Sequence, residues 1–304
     1  LRASASIGQP SLSWTRTGPV VFPIQYVLTP TVSLSLDNVL LETSGTASVG
    51  ALSVGGYGSG LRSVILEDLA GDGTLRISIQ GDTGWDIGGS AVGPVDPSPI
   101  VVVDNTPPGV GIGLPSESAA ASGPVTYEVM YTGADSILLL EEHVALESSG
   151  TASASVRVLG DSADSRSVVL SNIVGDGTLA IGIREGSAVD LAGNFAPAVA
   201  SSIPFIVDNT PPELWIGAPS EDATTIGPVS FIIGYLAANT VTLSQSDVIV
   251  NSTGTAATSV EVTGSGTETR TVTLSNITGD GTIAISIVGT SASDLAGNYA
   301  NSVG

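Results

Sequence analysis

Apolar and polar residues alternate along short stretches of the chain with a period of two. The clearest stretch has apolar side chains at every second position: Val125, Tyr127, Val129 and Tyr131. The same alternation begins again at Val20 and at Val229. This period places successive side chains on opposite faces of an extended strand, so that one face is buried. Because no stretch shows the 3.6-residue period of an amphipathic helix, the pattern predicts an all-β protein.

The strand pattern occurs three times, at a spacing close to 104 residues. Asp72-Gly73-Thr74 recurs from Asp176 and from Asp280, with an offset of 104 both times. Gly18-Pro19-Val20 recurs from Gly123 and from Gly227, with offsets of 105 and 104. A period of this length is too long for a solenoid repeat and suits an independent small domain. We therefore predict three domains, at residues 1–105, 106–209 and 210–304.

Turn residues separate the strands and divide each repeat into about seven short strands. This number of strands in about 100 residues is typical of an immunoglobulin-like sandwich. The Gly-Asp-Gly motifs predict hairpin turns. Successive prolines at Pro107-Pro108 and Pro211-Pro212 predict short, stiff joints, since proline fixes φ and removes amide donors. The predicted fold is three tandem immunoglobulin-like β-sandwich domains in an elongated row.

Charge and composition exclude several classes of function. The 304 residues include 29 Asp and Glu against eight Arg and no Lys, for a formal net charge of -21. This acidity argues against nucleic-acid binding. The chain also has no Cys and one His, His143, which we interpret as a solvated loop residue. Without lysine amines, thiols or paired histidines the chain is not expected to be an enzyme. No run approaches the roughly 18 apolar residues of a membrane span.

The repeated motifs resemble those of a known family. Each repeat has GPV, then SGTA or a close variant, then GDGT. A D-x-AGN loop follows in the second and third repeats, and VDNTPP follows the first two repeats. This order resembles the tandem bacterial immunoglobulin-like repeats of large secreted and surface proteins, over essentially the whole chain. The first repeat departs from it, with Ser90 at the position of the loop asparagine. The resemblance implies an extracellular or cell-surface stalk, adhesin or fibre. Its expected partners are neighbouring copies or adjacent repeats, and a surface receptor or glycan.

Related repeats often hold calcium between domains. The resemblance therefore implies that the recurring acids of this chain could bind calcium between its domains. Hard carboxylate and carbonyl oxygens suit calcium. The candidate ligands are Asp104, Glu117, Asp190, Asn194, Asp208, Glu221, Asp222 and Asp294. The alternative is that these residues hydrogen-bond their own backbone in turns. Both interpretations are open at the level of the sequence.

The third repeat is shorter than the second. It has 95 residues against 104, and the missing positions correspond to residues 201–209, which contain the apolar segment Phe205-Ile206-Val207. A sandwich without this closing strand would expose an apolar groove and an open sheet edge. We expect the strand to be missing from this stretch of sequence or to be supplied by another chain, as in head-to-tail strand complementation.

These observations favour a non-enzymatic structural protein outside the cell, as a subunit or segment of a surface fibre, filament or adhesin stalk. The alternative is a set of carbohydrate- or protein-binding modules attached to a secreted hydrolase. Aromatic residues make up only 4% of the chain, and the three tryptophans do not share a register. A sugar-stacking platform is therefore not expected.

Overall fold

The computed structural model describes residues 2–304 and shows an all-β protein. Apart from strands, the described residues form only four single-turn 3₁₀ helices. Three separate hydrophobic cores lie along the chain, within residues 20–103, 120–207 and 229–300. The segments around these cores are called the first, second and third units below.

The first unit contains ten strands in two four-stranded sheets and one two-stranded ribbon. The strands are β1 (Ser4–Ile7), β2 (Trp14–Thr15), β3 (Val20–Val27), β4 (Thr31–Val32), β5 (Val39–Thr43), β6 (Ser48–Gly55), β7 (Leu61–Ala70), β8 (Gly73–Ile79), β9 (Gly84–Trp85) and β10 (Val101–Val103), with a 3₁₀ helix at Leu36–Asn38. The sheets have the orders β1-β3-β7-β6 and β2-β10-β8-β5, and β4 pairs with β9. Only the β2–β10 pair is parallel.

The second unit repeats this arrangement strand for strand. Its strands are β11 (Gly109–Ile112), β12 (Ala119–Ala120), β13 (Val125–Thr132), β14 (Ser136–Ile137), β15 (Val144–Ser148), β16 (Ser153–Leu159), β17 (Ser165–Val174), β18 (Gly177–Ile183), β19 (Ala188–Val189) and β20 (Phe205–Val207), with a 3₁₀ helix at Glu141–His143. The sheet orders are β11-β13-β17-β16 and β12-β20-β18-β15. The closing strand β20 is thus held between β12 and β18.

The third unit has eight strands within the described residues. They are β21 (Glu213–Ile216), β22 (Val229–Leu236), β23 (Thr240–Val241), β24 (Val248–Ser252), β25 (Ala257–Thr263), β26 (Thr269–Thr278), β27 (Ile283–Ile287) and β28 (Ala292–Ser293), with 3₁₀ helices at Gln245–Asp247 and Gly289–Ser291. One sheet is complete, in the order β21-β22-β26-β25. The opposite sheet is reduced to β24 and β27, without equivalents of β12 and β20 in this part of the chain.

The sheet orders confirm the predicted immunoglobulin-like class. In an immunoglobulin sandwich, strands A, B, E and D form one sheet, and strands C, F and G form the other. The order β1-β3-β7-β6 corresponds to A-B-E-D, and β10-β8-β5 corresponds to G-F-C. The short strand β2 adds to the second sheet beside β10. We retain the domain boundaries after residues 105 and 209 as a proposal.

Alternating burial along the strands explains why the two sheets face each other. On β3, the side chains of Val20, Phe22 and Ile24 are fully buried, while the intervening residues are less buried. In the second unit, the rings of Tyr127 and Phe205 lie 6.4 Å apart, tilted by 49°, so the closing strand packs against the opposite sheet. Burying one such side chain stabilises the fold by about 1.5–3 kcal/mol.

The Gly-Asp-Gly motif is not a hairpin turn, contrary to the sequence prediction. It joins β7 to β8, which lie in opposite sheets, and the same crossing joins β17 to β18. The turn packs tightly against the turn at residues 44–46. A Cβ atom on Gly73 would overlap the carbonyl oxygen of Ser44. A Cβ atom on Gly71 would likewise overlap the carbonyl oxygen of Thr46. Glycine is therefore required by this close approach of two turns, in all three units.

His143 is the last residue of a single-turn 3₁₀ helix between β14 and β15, where it is partly exposed. Its Nδ1 accepts a hydrogen bond from the backbone N–H of Leu140, at 3.1 Å. In the other two units, Asn38 and Asp247 accept the equivalent bond at 3.0 and 2.8 Å. The histidine nitrogen therefore accepts the hydrogen bond that closes this turn. The amide oxygen of Asn38 and the carboxylate oxygen of Asp247 do the same in the other two units.

Burial raises the pKa of four tyrosines above the ordinary value of 10.0: Tyr26, Tyr127, Tyr131 and Tyr235. These phenols keep their protons in the folded state to higher pH than in the unfolded state. Their contribution to stability is therefore complete below about pH 10 and is lost as the pH rises through the folded-state pKa. We expect ionisation of these four tyrosines, followed at 295 nm, to coincide with loss of the β-sheet circular dichroism signal above pH 10.

The control is the variant Tyr57→Phe/Tyr299→Phe, which removes two exposed tyrosines and should leave the alkaline transition in place. Ionisation of all the remaining tyrosines with the sheet signal intact would contradict the buried state of the four phenols.

Candidate functional sites at the joints and the open edge

The end of each closing strand is tied to the Gly-Asp-Gly turn of its own unit. The backbone N–H of Asn105 donates to Asp72 Oδ1 at 2.7 Å, and Asn105 Nδ2 donates to the carbonyl of Gly71 at 2.8 Å. Asn209 makes the same two bonds to Asp176 and Gly175, both at 2.7 Å. The Asp-Asn pair therefore fixes the point at which the chain leaves one unit.

The aspartate of the pair directs the chain into the next unit. Asp104 Oδ1 accepts the N–H of Thr106 at 2.9 Å, and Asp208 Oδ1 accepts that of Thr210 at the same distance. This bond closes an Asx turn, in which an aspartate side chain replaces a backbone acceptor. Two prolines with fixed φ follow immediately, so the joint has few free dihedral angles.

The Asp-Leu-Ala-Gly-Asn loop of the second unit contacts the end of the first unit. Within the loop, both carboxylate oxygens of Asp190 accept hydrogen bonds from Asn194, one from its backbone N–H and one from Nδ2, at 2.8 and 2.9 Å. The same Nδ2 also donates to the carbonyl of Asp104 at 2.8 Å, across the joint. Asp190 and Asn194 are both buried.

The second joint has the same construction. Asn298 Nδ2 donates to Asp294 Oδ2 at 2.8 Å and to the carbonyl of Asp208 at 2.7 Å. A further bond crosses this joint, from the N–H of Ala121 to the carbonyl of Ala296 at 3.2 Å. One loop asparagine thus connects the second unit to the first, and another connects the third unit to the second.

The structure brings together only some of the predicted calcium ligands. Asp104, Asp190 and Asn194 meet at the first joint, and Asp208 meets Asp294 at the second. Glu117 lies exposed in a loop, and Glu221 and Asp222 are exposed beside a groove of the third unit. Within residues 2–304, no three His, Cys, Asp or Glu side chains gather in a way that could hold a metal.

At both joints the oxygens of these residues accept hydrogen bonds from the loop asparagines Asn194 and Asn298. The arrangement is the turn chemistry that the sequence left as the alternative. Calcium binding at the joints stays a prediction.

The third unit has an open groove where β10 and β20 lie in the other units. The groove has a volume of about 520 Å³ and is lined by apolar residues from both sheets, among them Phe231, Leu274, Ile277 and Ile285. Phe231 is 8% exposed, whereas its equivalents Phe22 and Tyr127 are at 0%. Within residues 2–304, the core of the third unit is therefore less covered than the cores of the other two units.

Two sets of structural residues were missed by the sequence interpretation. The bond between Asn105 and Asp72 joins two motifs that the sequence analysis treated separately. Arginines recur in register at Arg62, Arg166 and Arg270, and two of them are buried, with guanidinium groups that donate to backbone carbonyls. Their constant spacing of 104 residues is the signal that identifies them.

Comparison with known proteins shows only remote similarity. No protein-family model and no curated protein matches the chain. Among solved structures, the eight N-terminal Ig domains of Down Syndrome Cell Adhesion Molecule align with 98% of this chain and 41% of that chain, at 13% identity and a TM-score of 0.26. Domains 1–6 of the surface layer protein SbsC align with 98% of this chain and 54% of that chain, at 13% identity and a TM-score of 0.22.

The FN1–FN3 domains of chicken contactin-1 (CNTN1) align with 98% of this chain and 96% of that chain, at 12% identity and a TM-score of 0.21. Similarities of this size carry no argument about the function of the chain. Residues 2–304 contain no helix with the length and apolar character that crossing a bilayer requires.

Removing the loop asparagine should loosen the joint that it crosses. Since the chain has no Cys, two introduced cysteines, Ser48→Cys and Ser153→Cys, can carry spin labels on the first and second units. We expect Asn194→Ala to broaden the distance distribution between the labels, because about 1 kcal/mol of hydrogen bonding is lost. Electron–electron double resonance measures this width.

The matched control is Asn239→Ala, an exposed asparagine of the third unit. It should leave the label distances between the first two units unchanged. An equally narrow distribution in the Asn194→Ala variant would show that this residue does not hold the joint.

Proposed function

We propose that the chain is a non-enzymatic structural segment of an extracellular bacterial fibre, filament or adhesin stalk. The observation that carries this proposal is the repeated joint, in which a loop asparagine donates to the last aspartate of the preceding unit. Both joints use the same residue types and nearly the same distances. Identical heterologous contacts of this kind propagate in one direction, as a stalk requires.

The restraint at each joint supports a stiff segment rather than a flexible tether. Two prolines follow an Asx turn, and the asparagine of Asp-Asn is fixed to the Gly-Asp-Gly turn behind it. A Gly/Ser linker would leave the units free to reorient. The stiffness proposed here resides in backbone geometry and in short hydrogen bonds, and not in a large interface.

The partners in this proposal are neighbouring copies of the chain or adjacent repeats, with a surface receptor or glycan as the target of the stalk. The finer part of the proposal is head-to-tail assembly, in which the open third unit accepts a strand from its neighbour. No specific feature of the structure favours sugar-binding modules, because the exposed Trp14 and Trp215 lie in different units.

Electron microscopy of the purified chain tests this function. We expect straight rods of three beads, or filaments with a regular repeat along their length. The variant Asn194→Ala/Asn298→Ala should give rods bent at both joints, with Asn239→Ala as a control that stays straight. Wild-type particles with freely varying angles between the beads would contradict the proposed stalk.

Calcium stiffening is the remaining part of the hypothesis and has its own test. A site with a Kd near 10⁻⁴ M would gain about 1.4 kcal/mol in millimolar calcium. Calorimetric unfolding in 1 mM calcium and in chelator at equal ionic strength measures this gain. A higher Tm in calcium that disappears in Asp190→Asn/Asp294→Asn supports calcium at the joints. An unchanged Tm means that hydrogen bonds alone hold them.

A further inference from the structure

We propose that His143 makes the turn at residues 140–143 of the second unit sensitive to pH. In this turn the ring nitrogen Nδ1 accepts the backbone N–H of Leu140, at 3.1 Å. A ring nitrogen accepts a hydrogen bond only while it carries no hydrogen itself. Protonation of an imidazole makes both of its nitrogens donors, so the acceptor is lost. The turn is therefore closed while His143 is neutral and is released when the ring is protonated.

His143 is the one side chain of this sequence that ordinarily changes its charge between pH 5 and pH 8. The 304 residues contain one His and no Cys. Carboxylates ordinarily gain their protons below this range, and tyrosine and arginine lose theirs above it. A change of side-chain charge in mild acid therefore acts on the second unit and leaves the other two units unchanged.

The other two units contain the same turn with acceptors that do not respond to mild acid. In the first unit, Asn38 Oδ1 accepts the N–H of Ser35 at 3.0 Å. In the third unit, Asp247 Oδ2 accepts the N–H of Ser244 at 2.8 Å. An amide oxygen does not titrate, and a carboxylate ordinarily keeps its charge at pH 5. The same turn thus occurs three times, and only the second copy loses its acceptor.

The second turn also depends more strongly on this one acceptor. In the other units a serine hydroxyl donates a further bond to it, from Ser35 at 2.9 Å and from Ser244 at 2.7 Å. Leu140 has no hydroxyl at the equivalent position. Once Nδ1 is protonated, the bond that still joins the two ends of the turn is that from the N–H of His143 to the carbonyl of Leu140, at 3.0 Å.

The charges around the turn are close to balanced. The charged residues of the turn and of the segments beside it are Glu141, Glu142, Arg157, Arg166, Arg184 and Glu185. Glu141 and Glu142 attract a protonated ring, whereas Arg184, which donates to the carbonyl of Glu142, repels it. Glu147 lies four residues beyond the ring on β15. With three carboxylates set against three guanidinium groups, the lost hydrogen bond decides the direction of the change.

Release of the turn changes the wall of a groove. The groove has a volume of about 970 Å³, and Leu138, Leu140, Val158 and Arg166 are among the residues that line it. Leu138 and Leu140 are 41% and 57% exposed. The equivalent positions in the other units are polar: Ser33, Ser35, Thr242 and Ser244. The pH-sensitive turn therefore borders an apolar surface where the other units have hydroxyl groups.

Nuclear magnetic resonance of the full chain tests the bond directly. At pH 7.5 we expect a correlation across it, between the amide nitrogen of Leu140 and Nδ1 of His143. The correlation should disappear at pH 5, together with protonation of the ring. Absence of the correlation at pH 7.5, or its persistence at pH 5, would overturn the proposal.

Amide hydrogen exchange measures what the loss of the bond does to the turn. Protection of the Leu140 amide, corrected for the intrinsic exchange rate at each pH, should fall about fivefold from pH 7.5 to pH 5. The amides of Ser35 and Ser244 are internal controls and should keep their protection. Equal losses at all three amides would mean a general effect of acid, and unchanged protection at Leu140 would mean that the bond does not hold the turn. Either result would contradict the proposal.

The matched variant is His143→Asn, which places the acceptor of the first unit in the second. Asn38 shows that an amide oxygen fits this turn, so the variant should fold. We expect its Leu140 amide to have the same protection at pH 7.5 and at pH 5. A fall in protection in this variant as large as in the unmodified chain would show that His143 is not the source of the pH response.

Discussion

The closing strand is the element on which the rest of each unit depends. In the first two units it is an inner strand of the second sheet, pairs with a neighbouring strand on each edge and covers the core from one side. The residues that follow it hold the Gly-Asp-Gly turn and direct the chain into the prolines. A segment of five residues thus completes one sandwich and sets the start of the next.

The joint continues the same chain of hydrogen bonds. Asp104 uses its carboxylate to turn its own chain and its carbonyl to accept Asn194 of the next unit. One residue therefore belongs to the end of a unit and to its contact with the following one. This dual use explains why the Asp-Asn-Thr-Pro-Pro and Asp-x-Ala-Gly-Asn motifs occur in register, since one is the acceptor and the other the donor of a single contact.

The strands, the repeat and the fold class could be predicted from the sequence because they depend on local signals. Alternating residues such as Val125 and Tyr127 define a buried face, and the 104-residue period defines the unit. The crossing of Gly71–Gly73 between sheets could not be distinguished from a hairpin, because the same turn residues serve both. The hydrogen bond between Asp72 and Asn105 could not be predicted either, because the two residues are 33 positions apart in the sequence.

The acids at the joints show a second limit of sequence interpretation. Asp190 and Asn194 have the oxygen chemistry that suits calcium, and the same oxygens suit a hydrogen-bonded turn. In the structure both carboxylate oxygens of Asp190 accept bonds from Asn194, which the sequence pattern alone could not specify.

Amide hydrogen exchange of the full chain tests the central claim that the closing strand completes each sandwich. The three units provide matched sequences, so residues 74–77, 178–181 and 282–285 can be compared directly. The account predicts that residues 282–285 exchange at least about tenfold faster than the other two segments, while residues 62–66, 166–170 and 270–274 on the complete sheet are protected alike. Equal protection of the three edge segments would contradict the claim.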